Sequence, residues 1–256
     1  MDYTTICIDW PPFQRPGDSE TLSLEKERLQ HMITYKVHFI RHGMTQGNLE
    51  GKYIGSTDLP VCPEGYRQLD DLKAHYEYPK VEAVYSSPML RCRQTADFLY
   101  PNAMLTVVED LREWNFGDFE GKTMEELKDD PDYLDWIASS MKSTPPGGES
   151  SKEFAARLQL AIGAIFRDMM DQGITNAAIV THGGVIMTLM SEYALPRGQN
   201  NNHWMAPNGQ GFTVLMTPQM WMRDGGFEVY NYVPVEPELA DFSGIMGFDS
   251  GEDWDE

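Results

Sequence analysis

Positive charge is what this chain has least of. Lysine and arginine total 20 against 40 aspartates and glutamates, a formal net charge of -20. That deficit argues against nucleic acid or an anionic membrane surface as the main partner, because both attract proteins through clustered cations. No apolar run reaches the ~18 residues that suggest a membrane-spanning helix. Met1 is soon followed by Asp2, Asp9 and Pro11 rather than by a basic and then apolar leader, so a cytoplasmic location is expected. Cysteine is also scarce. Cys7, Cys62 and Cys92 are odd in number and scattered, which suggests neither a disulfide framework nor paired metal ligands. Nucleophilic cysteine chemistry that pairs the thiol with an arginine six residues on is unsupported, since those positions hold Phe13, Gln68 and Phe98.

What is present suits a folded α/β protein. Hydrophobic residues make up 41% of 256 residues, enough for a sizeable core. Residues 1–31 lack periodicity and carry Pro11, Pro12 and Pro16; they are expected to form an extension with a short helix around Leu24 to Leu29. Met32 is read as an alternative start. From there strand-like and helical patterns alternate: Val37 to Ile40, Glu64 to Ala74, Val81 to Tyr85, Leu90 to Leu99 and Met104 to Val108. A helix from about Ser151, a strand over Ala177 to Thr181, a helix after Gly184 and two β-like runs, Gly211 to Met216 and Phe227 to Tyr232, follow. This order predicts one domain, residues 32–234, on a largely parallel sheet.

Thr123 with Glu126 and Ser150 with Glu153 have the spacing of capping boxes and predict two helix starts. After the second, Phe154, Leu158, Ile162, Ile165 and Met169 form a helical stripe expected to pack against the sheet. Residues 123–148 are helical and then rich in proline and glycine, where a lid over the sheet edge could form. Residues 235–256 read as an acidic tail, disordered or loosely packed.

The chemistry concentrates where apolar strands stop. Val37 to Ile40 ends in Arg41-His42-Gly43, and Ala178 to Thr181 ends in His182-Gly183-Gly184. Two strands that deliver histidine and then glycine suggest a shared site at a sheet edge. Ser86-Ser87 with Arg91 opens a helix after a strand, an arrangement suited to an anion. Leu111 to Gly117, carrying Glu113, follows another strand. Paired metal ligation by His42 and His182 would need carboxylate or cysteine partners that the neighbouring motifs do not obviously supply, and the adjacent arginine disfavours a cation. No metal and no cofactor are expected.

These motifs together resemble the histidine phosphatase superfamily, the branch that includes cofactor-dependent phosphoglycerate mutases. The likeness covers roughly Tyr35 to Tyr232, in order: Arg41-His42-Gly43 with Thr45 and Asn48; Ser86-Ser87 with Arg91 and Gln94-Thr95-Ala96; Glu113 with Gly117 and Glu120-Gly121; Gly148-Glu149-Ser150; and Thr181-His182-Gly183. The resemblance implies a three-layer α/β/α sandwich with a mostly parallel central sheet. It implies His42 as a nucleophile that becomes transiently phosphorylated, with Arg41, Arg91 and His182 around the phosphoryl oxygens. Thr45, Asn48 and the Gly183 backbone would add hydrogen bonds, and Glu113 would serve as proton donor and then base.

Within the family the chain is most similar to alpha-ribazole phosphatases and broad-specificity phosphatases, from Thr45-Gln46 with Asn48, Gly51, Tyr53 and Gly55, and from Phe116 to Gly121. The expected partner is a small phosphomonoester. Trp114-Asn115-Phe116 stands where mutases resemble one another in carrying basic and aromatic residues, which favours hydrolysis over mutase-type phosphoryl transfer. Met44, Tyr53, Trp114 and Met124 are candidates for an apolar leaving-group site, with simple packing as the alternative. Cys62 occupies a helix-cap position that threonine usually holds. A mutase, or a non-catalytic scaffold that binds phosphorylated ligands, remains the alternative function.

Overall fold

The computed structural model describes residues 4–5, 33–197 and 201–237. The helix expected at Leu24 to Leu29 and the tail beyond 237 lie outside the described residues.

Among the described residues, eight strands form one sheet: β1 (Thr4–Thr5), β2 (Tyr35–Arg41), β3 (Ala83–Ser86), β4 (Met104–Val107), β5 (Asn176–Thr181), β6 (Ala194–Leu195), β7 (Gly211–Met216) and β8 (Phe227–Val233). Their order is β1-β4-β3-β5-β2-β7-β8-β6. The first five are parallel neighbours, β2–β7 and β7–β8 pair antiparallel, and β6 joins β8 in parallel. β2 is central, with Arg41 level with Thr181 of β5 on one side and Ile40 level with Gly211 of β7 on the other.

The strands are apolar on both faces because helices cover both. Val37, Phe39, Tyr85, Ala177 and Ile179 face α6 (Ser151–Gln172) and α7 (Gly183–Tyr193). Ile40, Val84, Ala178 and Val180 alternate to the other face, against α2 (Pro63–His75) and α3 (Leu90–Leu99) through Leu69, Cys92, Ala96 and Leu99. The result is a three-layer α/β/α sandwich.

The start signals act as their chemistry predicts. Ser150 and Glu153 close a capping box at the start of α6, whose stripe from Phe154 to Met169 is buried, and Gly173 ends the helix at φ 72°. Thr123 and Glu126 do the same for α4 (Met124–Leu127). Cys62 caps α2, its sulfur accepting the Gly65 N–H at 3.4 Å. Sulfur is a weak acceptor, so Cys62→Ser is expected to raise stability by about 0.5–1 kcal/mol. A denaturant midpoint that rises at unchanged slope would show it.

Some elements had no clear sequence signature. α1 (Gln46–Leu49) is one turn, too short for periodicity, and exists because Thr45 and Asn48 cap each other. α5 (Pro131–Ala138) and α8 (Pro218–Asp224) are the remaining α-helices among the described residues. Within residues 1–31, Thr4–Thr5 extends the sheet beside Thr106–Val107. Pairing also continues past Pro234, where Val235 exchanges backbone hydrogen bonds with Glu77.

Candidate active site

Because β4, β3, β5 and β2 are parallel neighbours, their carboxyl ends share one edge, the usual ligand position in an open α/β sheet. β2 delivers Arg41 and His42, β3 delivers Ser86 and Ser87, β5 delivers Thr181 and His182, and β4 leads through a 3₁₀ turn (Glu109–Leu111) to Glu113. Backbone hydrogen bonds continue past the strands, from His42 N to Thr181 O and from Ser87 N to Val180 O. The two histidine rings are brought to 5.2 Å, centroid to centroid.

The protonation pattern of His42 follows from its partner. Nδ1 lies 2.8 Å from Gly43 O, and a carbonyl can only accept, so Nδ1 carries the hydrogen and Nε2 presents a lone pair. Burial, then the Arg91 and Arg41 charges, hold its pKa well below the usual histidine value, so the ring is neutral. Three bonds fix the loop around it. Gly43 N–H donates to Thr95 Oγ1 at 2.7 Å, Thr95 donates to Arg91 O at 2.6 Å, and Asn208 Nδ2 donates to His42 O at 2.9 Å. His182 is fully buried and accepts from Arg91 Nε at Nδ1. Its Nε2–H then donates to Ser87 Oγ at 2.8 Å. Burial and Arg91 also hold this ring's pKa well below the ordinary value.

Arg91 is fully buried, and its Nη atoms donate to backbone carbonyls, Thr57 O at 2.8 Å and Gly55 O at 2.9 Å. Those peptides are in turn held by Glu120. Its carboxylate accepts N–H bonds from Gly55 and Ser56 at 2.8 to 3.1 Å and the Thr57 hydroxyl at 2.8 Å. The Gly55–Ser56 peptide thus offers its oxygen to Arg91 and its N–H to Glu120, so the carboxylate polarises the acceptor the guanidinium uses. A side chain at Gly55 would break this, since a Cβ there would lie 1.8 Å from Trp114 O. Glu120→Gln is expected to weaken competitive inhibition by inorganic phosphate by about 1 kcal/mol, roughly fivefold in Ki. Inhibition titrations on a variant with unchanged melting would check it.

Arg41 donates from Nη1 to Ala206 O, while its buried Nε has no hydrogen-bond partner among the described residues. An unsatisfied buried donor costs about 1–3 kcal/mol, which an anion would recover. The guanidinium lies beside Gly183 at the start of α7. The first amides of a helix have no intrahelical acceptor, so the helix also favours negative charge here.

Glu113 sits at the same helix end. Its Oε1 accepts the Trp114 N–H and its Oε2 the Gly184 N–H, both at 2.9 Å. Burial nonetheless raises its pKa above the usual carboxylate value, against the pull of those bonds and of Arg91 and Arg41. Such a group keeps its proton to a higher pH than an ordinary carboxylate does, which suits a proton donor. A Cβ on Gly184 would fall 2.5 Å from Glu113 Oε1. Gly184→Ala is therefore expected to displace the carboxylate and lower kcat by roughly 10²-fold, as steady-state rates on a folded variant would show.

His42, His182, Arg41, Arg91, Glu113 and Gly183 thus meet at one edge. Thr45 and Asn48 stand beside them, but the Thr45 hydroxyl is used internally, donating to Asn48 Oδ1 at 3.0 Å. The residues named for a leaving-group wall lie as follows. The Tyr53 hydroxyl pairs with that of Tyr133 at 2.8 Å, and its ring packs edge-on to Phe116 and Trp136. Trp114 is buried, stacked on Phe154 at 5.2 Å, with its indole N–H on Glu149 O. Met124 is 65% exposed. The rings of Tyr53 and Trp114 thus pack against other aromatics beside the 123–148 segment, as the packing alternative expects. Asn208 and Arg157 escaped the sequence reading, and Glu120 entered it only as part of a motif, with no role. Pro207-Asn208-Gly209 signals a turn, but nothing local indicates what Asn208 holds.

Among the described residues no three of His, Cys, Asp and Glu cluster as a metal-binding set, and no helix is long and apolar enough to cross a membrane. The family model for the histidine phosphatase superfamily (branch 1) matches residues 37–218. The adenosylcobalamin/alpha-ribazole phosphatase of Escherichia coli (strain K12) is 28% identical over 160 residues, 61% of this chain and 77% of that protein. Among solved structures, the alpha-ribazole phosphatase from Shigella flexneri superposes with a TM-score of 0.65 at 22% identity, covering 76% of this chain and 94% of that one. That likeness shows the fold. A phosphoglycerate mutase structure from Thermus thermophilus has a TM-score of 0.54 at 31% identity, covering 77% of this chain and 97% of that one.

Proposed function

The chain belongs to the histidine phosphatase superfamily (branch 1) and is a phosphatase, and from that premise we propose that it hydrolyses small phosphomonoesters through a phosphohistidine at His42. One observation carries the reading: the Nδ1–H to Gly43 O bond leaves the lone pair on Nε2 of a neutral ring, beside two arginines. In the first step Nε2 attacks phosphorus and the ester P–O bond breaks, while Glu113 gives its proton to the departing alkoxide. Arg41, Arg91 and the Gly183 amide meet the non-bridging oxygens, where charge concentrates, and His182 joins them by turning its Nε2–H from Ser87 Oγ. In the second step Glu113 takes a proton from water, the oxygen attacks phosphorus, the P–N bond breaks, and His42 and inorganic phosphate are released.

The relatives named alpha-ribazole phosphatase support a substrate of that kind or a broad preference. The structure named as a phosphoglycerate mutase supports the second reading, mutase-type transfer. Against it, Trp114 and Phe116 turn into aromatic packing and offer no cation for a second acidic group of a substrate. Specificity constants measured in chelator across alpha-ribazole phosphate, sugar phosphates, phosphoglycerates, nucleotides and a phosphopeptide test the proposal. Mutase turnover of phosphoglycerate that exceeds its hydrolysis would overturn it.

A further inference from the structure

We infer that Arg157 and Glu149 act together as positioning residues for proton transfer, holding the Glu113 backbone so that its carboxylate stands at the start of α7. The inference rests on the reading of Glu113 as proton donor. Arg157 lies on α6, one turn after Phe154, and its side chain and that of Glu149 are 15% and 16% exposed.

A guanidinium has five N–H donors in a fixed fork, and the bonds of Arg157 account for all of them. Nε and Nη2 grip the Glu149 carboxylate at 2.7 and 2.8 Å. Nη1 donates to Asp110 O and Arg112 O, both at 2.8 Å, and Nη2 also donates to Glu113 O at 3.0 Å. Three carbonyls within four residues therefore converge on one side chain. The carboxylate pair alone would satisfy the arginine's charge; the carbonyls add control over the path of residues 110–113.

Glu149 grips the same segment from its own backbone. Its carbonyl accepts the Trp114 indole N–H at 2.6 Å, and its N–H donates to Asn115 O at 3.0 Å. The Arg157 guanidinium covers the Phe154 ring, with Cζ 4.7 Å from its centroid, and Phe154 stacks on Trp114 at 14°. Glu113 is thus held on both sides while its carboxylate accepts from Trp114 N and Gly184 N. Lysine keeps the charge at position 157 but presents its donors from a single point, and it cannot span a carboxylate and three carbonyls.

The test compares Arg157→Lys, Glu149→Gln and Glu113→Gln in the full chain, each checked by its melting curve, on an aryl phosphate with a good leaving group and a simple alkyl phosphate. For Arg157→Lys, kcat/KM is expected to fall roughly 30-fold or more on the alkyl ester and less than about threefold on the aryl ester, because only the alkoxide needs its proton delivered. Glu149→Gln should split the two esters in the same direction but less, and it decides the matter if Arg157→Lys does not fold. Equal losses on both esters, or no loss, in a folded variant would overturn the positioning role. If Glu113→Gln itself fails to split the esters, the proton-donor reading falls and takes the inference with it. If Glu113→Gln splits them and neither clamp variant does, only the clamp is lost.

Discussion

His42→Ala is expected to lower phosphate release by at least roughly 10⁴-fold, with either an aryl or an alkyl ester, because it removes the proposed nucleophile. The substitution leaves Arg41, Arg91 and His182 in place, all held by contacts independent of the His42 ring: Arg91 by Gly55 O and Thr57 O, His182 by Ser87, and Arg41 by Ala206 O. The variant should therefore still bind inorganic phosphate within a few-fold of the parent, roughly 1 kcal/mol. Lost turnover with retained phosphate binding separates a missing nucleophile from a collapsed site. Full activity of His42→Ala in excess chelator would refute the phosphohistidine mechanism.

Glu113→Gln is expected to cost roughly 10²–10⁴-fold on alkyl phosphates and far less on aryl phosphates with acidic leaving groups, because only the former need a proton as the bond breaks. Glutamine keeps an acceptor oxygen for only one of the Trp114 and Gly184 N–H groups, which bond to different carboxylate oxygens, and it cannot cycle a proton. The pH dependence carries a second signature. In the free enzyme the proposed first step requires His42 neutral and Glu113 protonated. The His42 pKa is depressed, so activity rises as pH climbs through a value below the ordinary histidine one. The Glu113 pKa is raised, so activity falls as pH climbs through a value above the ordinary carboxylate one. The kcat/KM profile should be a bell, and Glu113→Gln should erase its alkaline limb while leaving the acid limb in place. An unchanged alkaline limb would assign it to another group.

Much of this was legible in the residues because it is local. A strand that stops at Arg41-His42-Gly43 and another that stops at Thr181-His182-Gly183 announce their positions through apolar runs and a glycine, with no knowledge of partners. The capping pairs Thr123–Glu126 and Ser150–Glu153 act within one turn, and the stripe from Phe154 to Met169 follows from helical period alone. Once βαβ order implies a parallel sheet, the strand ends carrying His42, Ser87 and His182 must share an edge, so their gathering there could be read in advance.

The tertiary structure decided what depends on contacts between residues far apart in the chain. Hydrophobic period says which face of an element is buried, not what it meets. Tyr53 and Trp114 could therefore be read as ligand-facing until their rings were found against Tyr133, Trp136 and Phe154. Asn208 reaches His42 across 166 residues, and Arg157 reaches Glu113 from a helix whose own pattern marks it only as a charged residue beside the core. The tautomer of His42 belongs to this class as well. Its neighbour Gly43 is adjacent in sequence, but which carbonyl the ring meets depends on how Thr95 and Asn208 bend the loop. Sequence by itself determined which side chains arrive at the sheet edge, because secondary structure follows short-range periodicity. Only the fold determined which atoms face one another there, because hydrogen-bond direction and burial are set by all the packed elements together.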